Sequence, residues 1–124
     1  MKQVVMIHGK LPSLNDYVRA CRSNANAGGK LKRDTEETIM WQMGRFYKIQ
    51  RPCFVVFEWH EKTKRRDKDN VAFAKKFILD AMQKAGKLKN DNNEWITGFS
   101  DHFVYNVPYG VKVTVFEAED EINV

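Results

Sequence analysis

Lys64-Arg65-Arg66-Asp67-Lys68-Asp69-Asn70 joins a strand-like run, Cys53-Phe54-Val55-Val56-Phe57-Glu58-Trp59, to a periodic segment from Asn70 to Gly86. Upstream, β-branched and aromatic residues follow one another, the composition of a strand. Its nearly continuous apolar character predicts a central strand covered on both faces. Downstream, Val71, Ala74, Phe77, Ile78, Ala81, Met82 and Ala85 recur at helical spacing. Asp69 is the expected N-cap of that helix and Gly86 its stop. A strand feeding a helix through a charged connection calls for a layer of helices on a sheet.

Working outward, Lys2 to Ile7 reads as a first strand ending at Gly9. Residues 8–33 read as a long polar loop with a short helical turn around Tyr17 and Val18. Loops of that length in a compact domain tend to be functional or disordered. Lys30, Lys32 and Arg33, after the paired Gly28-Gly29, suit either a flexible arm on DNA phosphates or a solvated loop. Asp34-Thr35-Glu36-Glu37 looks like a helix start, with acids suited to the dipole there. Ile39, Met40, Met43, Phe46 and Tyr47 give that helix an apolar face before Pro52. Residues 87–94 form a polar turn, Trp95–Ser100 and His102–Val107 are strand-like, and Pro108-Tyr109-Gly110 is a turn signal. Val111, Val113 and Val115 alternate with Lys112 and Thr114 as a last, half-buried strand. The expected fold is α+β and sandwich-like: a single mixed sheet of about four strands packed against two main helices, one domain over residues 1–124.

A chain of 124 residues, 43% hydrophobic and 30% charged, can bury a core without staples. Its apolar runs are too short for a membrane span or a secretory signal, so a cytoplasmic protein is expected. Cys21 and Cys53, far apart and outside any CxxC, read as reduced thiols. The net charge is +5 and the pI about 9.2. The excess is local: residues 62–89 carry ten Lys/Arg against three acids, while Glu117-Ala118-Glu119-Asp120-Glu121 has the opposite sign. Such a patch is the footprint of a polyanionic partner.

Inside the patch, Asp67 and Asp69 are one residue apart. In an extended segment their carboxylates share a side, with Cα atoms roughly 6.5–7 Å apart. Hard oxygens that close suit Mg²⁺ or Mn²⁺, which take one or two carboxylates plus phosphate oxygens. The plainer reading is a pair of surface acids neutralised by Arg65, Arg66 and Lys68. Lys76 lies two helical turns, about 10 Å, beyond Asp69 on a similar face. Asp91 lies in the polar turn past the helix. Lys64, Arg65, Arg66 and Lys68 supply a field for DNA. Asp80 reads as a helix-surface acid pairing with Lys76 or Lys84 at a spacing of four. His8, His60 and His102 are isolated and read as ordinary surface or strand histidines.

Arg65-Arg66-Asp67-Lys68-Asp69-Asn70, the helix ending Leu79-Asp80-Ala81-Met82-Gln83-Lys84-Ala85-Gly86, and the following Asn90-Asp91 resemble the RusA family of Holliday junction resolvases. Leu11-Pro12-Ser13-Leu14-Asn15 matches a Pro-Ser-x-Asn-like segment that the family carries after its first strand. The resemblance implies a homodimeric, Mg²⁺-dependent endonuclease, often prophage-borne, that cuts four-way DNA junctions symmetrically in recombination and repair. It implies Asp67, Asp69 and Asp91 as metal-binding carboxylates and Lys76 as the active-site lysine. The helix is about a turn longer here than in the best-known member, which keeps Lys75 beside Lys76 as a candidate. Asn90-Asp91 stands where that member has an acidic pair. Phe73 and Leu79, off the main apolar face, are candidates for the dimer contact. The rival reading is a non-catalytic, basic nucleic-acid-binding protein in which the aspartates only balance charge.

Overall fold

β2 (Cys53–Glu61) is the strand on which the sheet is built. The computed structural model describes residues 2–118. Around β2 stand β1 (Lys2–His8), β4 (Gly110–Glu117) and β3 (Ile96–Tyr105), in the order β1-β4-β2-β3. β4 runs antiparallel to both β1 and β2, whereas β3 runs parallel to β2. A parallel neighbour needs a crossover, and α3 (Lys68–Ala72) with α4 (Lys75–Lys84) supplies it. α1 (Leu14–Ser23) and α2 (Ala27–Trp41) complete the helical layer. The expected single mixed four-stranded α+β fold is what forms.

Only one face of the sheet is covered. Val55, Phe57 and Trp59 of β2, Val111, Val113 and Val115 of β4, and Ile7 of β1 are buried in the core with Ile39, Met43, Phe77, Ile78 and Met82 of the helical side. The alternate residues point away: Phe54 is 39% exposed, its ring lying over Gly98. The expectation that both faces of β2 are covered is therefore corrected. An apolar run can also be half-open when a glycine gives one of its rings a place to rest.

The long polar loop is also corrected, because it contains a helical hairpin. Ser13 Oγ accepts from the Asp16 N–H (3.2 Å) and Asp16 Oδ2 accepts from the Ser13 N–H (2.9 Å), a capping box that starts α1. Gly28 lies in the first turn of α2, not in a loop; a Cβ there would collide with the Cys21 sulfur. Lys30, Lys32 and Arg33 thus sit on a helix and not on a flexible arm. α2 ends at Trp41, so Tyr47 lies outside it and is 74% exposed.

The expected helix from Asn70 to Gly86 begins earlier and is broken. Asp67, not Asp69, is the N-cap, and the ladder tightens at Phe73 and Ala74, where the Ala74 N–H donates to Val71 O and the Lys76 N–H to Phe73 O (both 3.1 Å). Gly86 is the stop, with φ +74° and the Lys87 N–H returning to Met82 O at 2.8 Å. Leu79 is in the core, and Phe73 packs on Tyr17 and Phe77 at 5.7 and 5.5 Å, so these two residues stabilise the single chain instead of offering a dimer contact. The two short strands expected at 95–107 are one, β3, which runs straight through Asp101. Residues 119–121 of the acidic tail lie outside the described residues. No helix among the described residues is long and apolar enough to cross a membrane.

At the start of β4, Gly110 faces His8 of β1 and His60 of β2. A Cβ there would stand 2.8 Å from the Ile7 carbonyl oxygen, a backbone atom that cannot turn aside. Gly110→Ala is expected to lower unfolding stability by about 1–3 kcal/mol, the usual range for overpacking, read from denaturant midpoints.

Candidate nucleic-acid interface

The charged connection is anchored at its middle. Glu61, the last residue of β2, is only 3% exposed. Arg66 reaches back to it with two parallel bonds, Nε to Oε1 and Nη2 to Oε2, each 2.8 Å, and its Nη1 donates to the Leu11 carbonyl at 2.9 Å. Glu61 raises the Arg66 guanidinium further above its ordinary pKa. Arg66, expected on DNA, is thus committed to holding the loop. Its bond to Leu11 brings two distant motifs together: Ser13, Asn15, Arg65, Asp67 and Asn70 line one recess of about 170 Å³.

Asp67 and Asp69 are exposed, and neither enters an ion pair among the described residues. Asp69 Oδ1 only accepts from the next N–H, that of Asn70, at 3.0 Å. The extended geometry expected for the pair is replaced by an N-cap followed by the first turn of α3. The neighbouring cations point elsewhere. Lys68 Nζ lies 5.6 Å from the Phe103 ring and 5.4 Å from that of Tyr105, and Lys64 Nζ lies 5.3 Å from Tyr105. Arg65 is exposed.

Lys76 and Asp91 do meet. Lys76 Nζ is 2.9 Å from Asp91 Oδ2 and 3.2 Å from Asp80 Oδ1. The ammonium holds the Asp91 carboxyl below its usual value, and Asp91 in turn raises Lys76. The line of charges continues: Asp80 takes Lys32 at 3.1 Å, and Lys32 and Lys84 both pair with the buried Glu36 of α2. Thus Lys32 ties α2 to α4, and Lys30 pairs with Asp34 along its own helix at 2.7 Å. Arg33 is exposed beside Gly29. Among the described residues no three His, Cys, Asp or Glu side chains are gathered as a metal centre would need. Asp91 is therefore joined to Lys76, not to the Asp67–Asp69 pair.

Residues that the sequence reading passed over stand at this surface. Asp101 of β3 accepts from Trp59 Nε1 at 2.8 Å and pairs with Lys75 Nζ at 2.7 Å. Phe99, Phe103 and Tyr105 share its face. Period-two spacing through residues 99–105 was the available signal, obscured by treating Asp101 as a break. His60 bonds Glu58 (2.7 Å) and His102 bonds Ser100 (3.1 Å), as ordinary strand histidines do. Both cysteines are free, and burial pushes the Cys53 thiol up to about 11. No protein-family model matches the chain, and no curated protein matches it.

Two outcomes follow from these pairs. Arg66→Ala strands a buried carboxylate and is expected to cost about 3–5 kcal/mol of stability, measured by urea unfolding. Lys76→Met is expected to let the Asp91 carboxyl rise toward 3.8 or above, followed by carboxyl-carbon NMR during acid titration. Because a depressed carboxyl stabilises the fold above its unfolded pKa, the stability gap between wild type and Lys76→Met should be full above about pH 4 and close as pH falls through the folded Asp91 value.

Proposed function

We propose that this chain is a cytoplasmic, Mg²⁺-dependent endonuclease of the RusA type that resolves four-way DNA junctions as a homodimer. The observation that carries the reading is that, among the described residues, Asp67 and Asp69 pair with no cation. Had they served only to balance charge, Arg65, Arg66 and Lys68 would be their partners; instead Arg66 is spent on Glu61 and Lys68 rests on aromatic rings. Two unpaired carboxylates beside a polar recess are a donor set that Mg²⁺ accepts, since it completes its shell with water and phosphate oxygens. Mn²⁺ would substitute. When bound, the ion would polarise the scissile phosphate and lower the pKa of a water.

The chain's own groups do the rest. Lys64, Arg65 and Lys68 draw the phosphate backbone toward the recess. Lys76 keeps Asp91 ionised and oriented, and its exposed ammonium can exchange a carboxylate for a phosphate oxygen as DNA arrives. Asp91 then becomes available as a third acidic group. Two copies related by a two-fold axis would match the near symmetry of a junction.

The test uses a labelled four-way junction, a linear duplex and a fork, with and without Mg²⁺. Paired cleavage of the junction is expected. Asp67→Asn and Asp69→Asn should each reduce it by a factor on the order of 10² or more, with junction binding retained. Binding without any cutting, in Mg²⁺ or Mn²⁺, would instead establish the non-catalytic reading.

A further inference from the structure

We infer that the edge strand β3, with the turn that follows it, is a stacking platform for unpaired DNA nucleotides. This deepens the proposed function by naming the part of a branched substrate that the surface takes, and it rests on that reading for its biological setting alone.

The alternation of β3 puts Phe99, Asp101, Phe103 and Tyr105 on the helix-covered side of the sheet, opposite Val55, Phe57, Trp59 and Glu61 of β2. β3 is an edge strand, and the helices do not reach across it: Phe99 is 52% exposed, and Phe103 and Tyr105 are half-buried. Each ring carries a cation. Lys75 Nζ lies 3.8 Å from the centre of Phe99, Lys68 serves Phe103 and Tyr105, and Lys64 serves Tyr105. Past the turn, Tyr109 has Lys10 at 5.2 Å, Lys62 at 5.5 Å and Arg66 at 5.7 Å. The two acids on this face, Asp101 and Glu61, are neutralised by Lys75 and Arg66. This face of β3 is consequently aromatic and cationic, with both of its own carboxylates paired.

Alternating rings and ammonium groups are what an unstacked strand requires: a ring face for each base and a cation for each phosphate. A duplex has no use for the rings, because its bases already stack on one another. Spacing agrees. Same-face residues on a strand recur every 6.5–7 Å or so, about twice the axial rise per nucleotide that separates stacked bases in a duplex, so only bases of an unstacked, extended strand can match successive rings. Lys64 and Lys68 are exposed, so a base that takes the Phe103 or Tyr105 ring releases an ammonium to the adjoining phosphate, while Lys75 stays on Asp101. Asp67 and Asp69 flank Lys68, which places the platform beside the unpaired carboxylates.

The experiment measures binding of the full chain, in EDTA so that nothing is cut, by fluorescence anisotropy. The probes are a labelled oligothymidylate of about twenty nucleotides, longer than a single strand-binding site, and a blunt duplex of equal length. The oligothymidylate should bind more tightly. Phe99→Leu and Tyr105→Leu should each weaken it by roughly five- to a hundredfold, the range seen for losing one base stack, while Tyr105→Phe retains affinity. Duplex affinity and the salt dependence should stay unchanged, since every cation remains. Equal binding of the two probes would overturn the platform, as would unaltered single-strand affinity in leucine variants whose unfolding matches wild type. Because no metal is present, a chain that never cuts a junction can still pass this test, and one that cuts can fail it.

Discussion

A carboxylate buried at the end of the central strand sets the geometry of everything around it. Glu61 is met there by a cation: Arg66 comes to it from five residues along the chain, bidentately. That closes residues 62–65 into a short excursion and leaves Asp67 in extended backbone, ready to cap α3. The third guanidinium bond, to the Leu11 carbonyl, pulls in the segment whose Ser13 caps α1. One side chain thus fixes the relative positions of two helix starts. Compared with an apolar pair of similar size, such a bridge adds little net stability. What it adds is placement: any other course for the loop would bury an unpaired charge.

Charge is partitioned accordingly. On the helical side, Lys84, Glu36, Lys32, Asp80, Lys76 and Asp91 form one alternating line that joins α2 to α4 and runs into the turn beyond it. On the β3 side, Lys64 and Lys68 lie on rings instead of acids. The excess positive charge therefore collects around the connection between β2 and α3. Among the described residues Asp67 and Asp69 have no cation partner in that field, so their exposed carboxylates remain available to a cation or to water.

The parts legible in the sequence were those governed by local rules. Gly86 stopped its helix because a left-handed residue is needed there, and Val71, Phe77, Ile78 and Met82 went inward because their spacing leaves them no other face. The Lys76–Asp80 pair followed from a spacing of four. What was missed depended on contacts between distant segments. Gly28 looked like a loop residue, although its role is to let α2 approach Cys21 of α1. Ser13 and Asp16 did form a local signal, an S-x-x-D in place of the commoner S-x-x-E, hidden in a polar stretch. Asp101 seemed to interrupt a strand; its partners, Trp59 and Lys75, lie 42 and 26 residues away. No periodicity argument can supply such partners. Of the candidate site, neither the pairing of Lys76 with Asp91 nor the structural role of Arg66 was legible in the sequence, since both depend on contacts made across the fold.

The break between α3 and α4 gives two adjacent lysines different fates. Lys75 turns to the edge strand, where Asp101 and the rings of Phe57 and Phe99 enclose it, leaving its side chain 15% exposed. Lys76 turns to the far flank and meets Asp91 with its side chain 57% exposed. A lysine that is to greet a phosphate must give up its present partner cheaply. The two aspartates are equally half-buried, Asp101 at 24% and Asp91 at 23% side-chain exposure, so the difference lies in the lysines: Lys75 is enclosed by its carboxylate and rings, whereas Lys76 is open to solvent, and Asp80 still has Lys32 when Lys76 moves. Of the two, Lys76 is therefore the ammonium that an anion from solvent can reach without displacing aromatic rings.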